Sequence, residues 1–255
     1  MRVRRASPDE QIELVGHLDE LRSRLIVVLS VLAVGVSLAF WQSGEILAFL
    51  QGPLPDGRQT QFLATSPLDP IMTSISIAIY GGLLLTIPVA SYQLYAFLIP
   101  AVGAEHHRSL RPLVAMVPVL FVAGALFGWY LVVPPSLSFL LGFNSGSFTI
   151  ALRAKDYIQF VGLTILAMGI VFELPAVMLV LARLRIVTSQ MMRRHWRISI
   201  VALAVIAMLL PGVDPISYIV EFIPLLCLYA VSYLVVRLVE HSAIFDPAQP
   251  DIPGR

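Results

Sequence analysis

Three glutamates stand where their neighbours give a carboxylate unusual chemistry: Glu173 and Glu221 inside apolar runs, and Glu20 on a polar stripe ahead of the first such run. Glu173 lies ten residues before Arg183, which is about 15 Å of helix and puts it near the midplane of a bilayer. An ionised carboxylate there costs several kcal/mol, so the side chain must face protein or water and stay protonated. A buried acid of this kind either meets a polar group on a partner helix or makes an internal structural hydrogen bond. Glu221, followed by Pro224, lies nearer the outer edge of its own apolar run. The remaining chemistry is sparse. The fingerprints H-E-x-x-H, G-x-x-x-x-G-K and G-x-S-x-G have no match, which argues against zinc hydrolysis, nucleotide hydrolysis and serine catalysis. His106 and His107 are adjacent and do not share a helical face, so they make a poor metal pair. No catalytic residue, metal site or cofactor is expected. The single cysteine, Cys227, allows no disulfide within the chain and reads as a small buried hydrophobe.

The elements that position these residues follow from composition. Of 255 residues, 58% are hydrophobic and 13% charged, with a mean hydropathy of +0.84. A soluble domain carries about 25% charge. The chain therefore reads as an all-α integral membrane protein rather than a cytosolic enzyme. Six apolar segments stand out, at 25–41, 71–99, 113–133, 158–182, 198–210 and 216–236. Six spans divide the chain into a cytoplasmic arm (1–24), a membrane domain (25–236) and a disordered cytoplasmic tail (237–255). Arg4 and Arg5 precede the first run by twenty residues, and no small-residue cleavage site follows near Trp41, so this run is expected to be a retained span. Pro88 is expected to break the second span. Gly124 and Gly128, a G-x-x-x-G in the third, favour close helix packing over a dimer interface. The fifth segment, 13 residues, reaches about 20 Å against a hydrocarbon core of roughly 30 Å. Either the bilayer thins there, or protein shields its end, or the helix extends through Trp196 and Arg197 with snorkelling.

Basic residues stay preferentially in the cytoplasm near span ends. The arm holds Arg2, Arg4, Arg5, Arg22 and Arg24; the loop after the second span holds Arg108 and Arg111; and the loop after the fourth holds Arg183, Arg185, Arg193, Arg194 and Arg197. With Arg237 and Arg255 in the tail, these outnumber Arg58, Arg153 and Lys155 on the other side. Both termini are therefore expected in the cytoplasm, with polar loops at 42–69 and 134–156 outside. The net charge of +1 offers no general attraction for nucleic acid.

Ser7, Pro8 and Glu10 form a capping box with proline at the first helical position. Leu14, Leu18, Leu21 and Leu25 then fall within about 60° of one another, and Glu13, His17, Glu20 and Arg24 form an adjacent polar stripe. This predicts an amphipathic helix feeding the first span. The same periodicity also fits a solvated surface helix braced by i,i+4 pairs.

Five motifs together resemble the TatC family. His17 to Leu25, HLDELRSRL, resembles its H-L-x-E-L-R-x-R-L; Ser66-Pro67-Leu68-Asp69-Pro70 resembles S-P-x-E-P; and Tyr92-Gln93-Leu94-Tyr95-Ala96-Phe97 with Pro100 resembles Y-Q-x-W-x-F…P. Phe172-Glu173-Leu174-Pro175 matches F-E-x-P, and Leu210-Pro211, Asp214, Ser217 and Ile223-Pro224 resemble the last hairpin. The resemblance implies a six-helix, cup-shaped, non-enzymatic receptor for twin-arginine signal peptides, working with TatA-type and TatB-type single-span partners in an oligomeric complex driven by the proton-motive force. A proton-coupled small-molecule permease using Glu173 is the competing reading. The absence of an internal repeat weakens it.

Under the resemblance, Glu20 fills the first acidic position for the twin arginines, with His17 and Arg22 beside it. The second family glutamate lies six residues after the loop proline. Here that position is His106, and Glu105 stands one residue earlier. Glu173, Pro175 and Glu221 are the expected contacts to a partner helix, and Ala230 stands where the family often has a glutamate late in the sixth span.

Overall fold

The computed structural model describes residues 8–54, 62–98, 107–143, 151–211 and 214–244, with side chains described in 18–54, 62–97, 116–143, 151–211 and 214–241. The helices are α1 (Pro8–Trp41), α2 (Ser43–Leu50), α3 (Asp69–Leu98), α4 (His107–Phe127), α5 (Val133–Gly142), α6 (Ala154–Phe172), α7 (Leu174–Arg183), α8 (Ser189–Arg194), α9 (Trp196–Leu209) and α10 (Pro215–Ile244). The chain forms two compact units, Met1–Leu50 with Ala64–Val119, and Gln51–Leu63 with Leu120–Arg255. Among the described residues, five stretches are long and apolar enough to cross a membrane: Leu18–Trp41, Asp69–Phe97, Met116–Gly142, Ala154–Arg183 and Pro215–His241. The segment expected as the fifth span is the 14-residue α9, about 21 Å long.

In the first unit the stretch expected to be amphipathic and the first expected span are one uninterrupted 34-residue helix. At 1.5 Å per residue it is about 51 Å long, more than a bilayer core requires. α1 and α3 meet through small residues. A Cβ built on Gly35 would lie 3.3 Å from the Gly82 Cα, and one on Gly81 would lie 2.9 Å from the Ala39 Cβ. In hydrocarbon, where apolar side chains gain nothing by leaving the solvent, such close backbone approach supplies the van der Waals contact that holds helices together. Large side chains elsewhere on α1, among them Leu25, Leu29, Val34 and Leu38, are exposed, as a lipid-facing surface requires.

Pro88 does not break α3, contrary to expectation. The helix runs through it, because a single proline removes one hydrogen bond and bends rather than ends a helix held on a long packed face. α3 starts where the Ser66–Pro70 motif folds back: the Asp69 Oδ2 accepts from the Thr65 N–H at 2.7 Å and the Ser66 N–H at 3.1 Å. The loop expected over 42–69 contains the helix α2.

In the second unit the third span, expected to end at 133, continues past Pro134 and Pro135. A π-helical turn, Gly128–Val132, precedes them, and the Val133 N–H reaches back to the Gly128 carbonyl. Widening the turn makes room for proline rings that would otherwise strike the carbonyls four residues earlier. The G-x-x-x-G lies against α6, since a Cβ on Gly124 would sit 2.5 Å from the Met168 carbonyl oxygen and one on Gly128 would sit 3.1 Å from the Met168 Cβ. The start of α6 is tied to the segment between α2 and α3 by a hydrogen bond from the Leu63 N–H to the Leu152 carbonyl, 2.9 Å, and by Phe62 packing on Tyr157. α10 runs through Pro224 to Ile244, so the tail expected from 237 begins as helix. Cys227 is exposed on α10 rather than buried. An apolar run in a membrane helix has an outward face that meets lipid, so apolar surroundings in sequence do not mean burial in protein.

Candidate functional site

In the first unit the N-terminal part of α1 lies against the C-terminal part of α3, and Arg24 joins them. The Glu20 Oε1 accepts from the Arg24 Nε at 3.0 Å and from Nη2 at 2.5 Å. The Arg24 Nη1 donates to the Gln93 Oε1 at 2.8 Å, and Nη2 reaches the Ala96 carbonyl at 3.4 Å. That carbonyl belongs to the last turn of α3, whose acceptors have no partner within the helix. A single guanidinium therefore orients Glu20 and caps the neighbouring helix. Both of its bonds to the carboxylate use Oε1, and the Glu20 side chain keeps 36% of its surface exposed. No donor among the described residues reaches Oε2. A second cation arriving from solvent finds an acceptor already held in place.

Arg22 is exposed on the same helix, as is Asp19. His17 lies in α1, with its side chain outside the described residues. Glu105 and His106 also lie outside them. The structure thus brings Glu20 and Arg24 together with Gln93, a motif residue with no expected part in the site. Its signal was a lone amide one turn from the end of an apolar span.

In the second unit the fourth span is two helices. Glu173, with φ −75° and ψ −8°, occupies the single residue between α6 and α7, and Pro175 lies in the first turn of α7. Proline cannot donate to the preceding turn, so the helix is interrupted where the F-E-x-P motif falls. The Glu173 side chain is buried, 7% exposed. Its neighbours Val171 and Leu174 pack on the cluster of Leu203, Ala207 and Leu225, together with Tyr218 and Phe222 of α10. Those last two rings stack, 5.6 Å apart and 9° from parallel.

Glu221 shares that face of α10 with Tyr218, Phe222 and Leu225, at positions a helix brings to one side. It is fully buried, and neither carboxyl oxygen has a hydrogen-bond partner among the described residues. At the head of α10 the Asp214 Oδ1 accepts from the Ile216 N–H at 3.1 Å and the Ser217 N–H at 2.8 Å, while the Ser217 hydroxyl donates to Oδ2. Asp214 and Ser217 thus cap a helix. No cluster of three or more metal-ligating side chains occurs among the described residues.

Comparison with known proteins places this geometry among relatives. Residues 16–224 match the family described as Sec-independent protein translocase protein (TatC). The TatC of Deinococcus radiodurans is 31% identical over 243 residues, which cover 93% of this chain and 90% of that one. The TatC of a Synechocystis strain is 32% identical over 210 residues, 82% of each chain. A crystal structure of the twin arginine translocase receptor TatC superposes with a TM-score of 0.75 at 32% identity, covering 88% of this chain and 99% of that one.

Proposed function

This chain belongs to the TatC family of Sec-independent protein translocase proteins, and from that premise we propose that it is the signal-peptide receptor of a twin-arginine translocase. The family is a multi-pass membrane component of a translocase and not a catalytic one, and the permease reading has no support among its relatives. The proposed receptor sits in the cytoplasmic membrane with both termini inside. It recognises the paired arginines of folded precursors, exports them at the expense of the proton-motive force, and assembles with TatA-type and TatB-type single-span proteins.

The observation that carries this reading is the partly exposed Glu20 carboxylate, held by Arg24 and with no donor on Oε2 among the described residues. A guanidinium is best captured by an acceptor-only carboxylate fixed in orientation, because less rotamer entropy is lost on binding. We assign Glu20 and Glu105 to the two arginines, with His17, Arg22 and His106 around them, and Glu173, Pro175 and Glu221 to a partner helix. Both of these last carboxyl groups are buried in the chain by itself, so a partner reaches them by displacing the side chains that cover them.

The test is photocrosslinking from Asp19, which is exposed one residue from Glu20. A signal peptide carrying two arginines should crosslink, and the same peptide with two lysines should crosslink several-fold less. Equal yields from the two peptides would remove Glu20 from the recognition site.

A further inference from the structure

We propose that the groove between α8, α9 and α10 is a binding site for one anionic phospholipid, its phosphate on Arg193 and its acyl chain along Ile200 and Leu226. The groove has a volume of about 730 Å³. Its floor is apolar, with Met192, Ile200 and Leu226, and its rim carries Arg193, Trp196 and Tyr233. A cation and two amphipathic rings above an apolar slot match a lipid divided between headgroup and chain, and Trp and Tyr favour that level of the membrane.

Charge complementarity identifies the headgroup. Between Glu173 and Asp214 the chain has five arginines and no acidic residue. Arg185, Arg193, Arg194 and Arg197 are all exposed, and none forms an ion pair among the described residues. The nearest acid along α10, Glu240, is already engaged: it accepts from the Ser189 N–H at 2.9 Å and from the Ser189 hydroxyl. A second tie runs from the Tyr229 hydroxyl to the Met192 carbonyl, 3.1 Å. α8 is thereby fixed to α10 at two points, which sets the backbone that carries Arg193 at the lining of the groove. Arg197 lies over the Trp196 ring at 5.6 Å, leaving Arg193 as the cation of the rim. A basic pocket between membrane helices at the interface is the kind of site that takes anionic headgroups. The short α9 adds a reason for a bound lipid there, because about 21 Å of helix leaves part of the hydrocarbon thickness uncovered.

The experiment is native mass spectrometry of the full chain in neutral detergent, offered equal amounts of dioleoyl phosphatidylglycerol and dioleoyl phosphatidylcholine. The parent chain should retain phosphatidylglycerol with about fivefold preference, the factor expected for one basic contact. Arg193→Gln should bring that preference close to unity, and Arg185→Gln, outside the groove, should leave it. Ala230→Trp, at an exposed lining position, should abolish retention of both lipids by filling the slot. Glycerol 3-phosphate, which has the anion without the chains, should not displace the lipid. Equal retention of the two lipids by the parent chain would overturn the proposal. So would an undiminished preference in Arg193→Gln, or lipid retention in Ala230→Trp. Occupancy by a single-span helix alone, with no lipid retained, would assign the groove to a protein instead.

Discussion

The Arg24 guanidinium and the Gln93 side-chain carbonyl, 69 residues apart in the chain, meet at 2.8 Å. Two motifs that are separate in the sequence are one structural unit through this contact, and the orientation of Glu20 depends on it. Glu20→Gln and Glu105→Gln should each weaken binding of a twin-arginine peptide by about 1–3 kcal/mol, the range for loss of a charge-assisted bond, without disturbing membrane insertion. Gln93→Leu should weaken it less, by releasing Arg24 while leaving the Glu20 charge. His106→Glu restores the family spacing and should tighten binding if Glu105 is misplaced. Titration calorimetry with the peptide, at two salt concentrations, measures all four. A double Glu20→Gln, Glu105→Gln chain that binds like the parent removes the assignment.

Glu173 occupies the joint between α6 and α7 and is buried there. Glu173→Gln keeps hydrogen-bonding capacity and should be mild. Glu173→Ala should loosen the complex with single-span partners by roughly 1–2 kcal/mol. Co-purification from membranes reads the difference, and an intact complex with alanine means that the residue serves the joint alone.

Glu221 poses a different balance. With both oxygens buried and unpartnered among the described residues, it carries a desolvation cost of about 1–3 kcal/mol that nothing visible offsets. Glu221→Met, similar in volume and apolar, should therefore raise the thermal midpoint of the isolated chain. The same variant should release a partner helix that supplies the missing donor. Thermal melts in detergent and co-purification separate the two effects; a lowered midpoint means the carboxyl is already satisfied within the chain.

The crossing of α1 and α3 leaves no room at Gly82. An added Cβ would meet the Val36 backbone nitrogen at 2.9 Å and its Cα at 3.1 Å, and backbone cannot rotate away as a side-chain tip can. Gly82→Ala should cost about 1–3 kcal/mol by forcing the helices apart. Gly44→Ala, with nothing within 4 Å of its Cβ position, should be close to neutral in the same melt.

Topology has its own test. In a Cys227→Ala background, Ala64→Cys places an exposed thiol in the loop before α3. An impermeant maleimide should label it in intact cells. Labelling confined to inverted membrane vesicles would reverse the orientation inferred from the arginines.

How much of this was legible in the sequence depends on the range of the physics. Partition between water and hydrocarbon is a sum over neighbouring residues, so composition and run length identify the membrane helices and the short α9, while the local capping signal at Pro8 places the start of α1. The α6–α7 joint is not legible in this way: 158–182 reads as one apolar run, and the break at Glu173 and Pro175 appears only in the structure. Pairings across helices are another matter, because they depend on which faces meet. Only the tertiary structure decided that Arg24 caps α3 through Gln93 and Ala96, and that Gly82 touches the α1 backbone. Likewise, Cys227 turned outward and Glu221 inward on one apolar helix whose two faces are alike in hydrophobicity. The passage of the third span through Pro134 and Pro135 belongs to the same class: a π turn is a costly local geometry, and it persists where packing such as that of Gly128 on Met168 holds both sides of it in place.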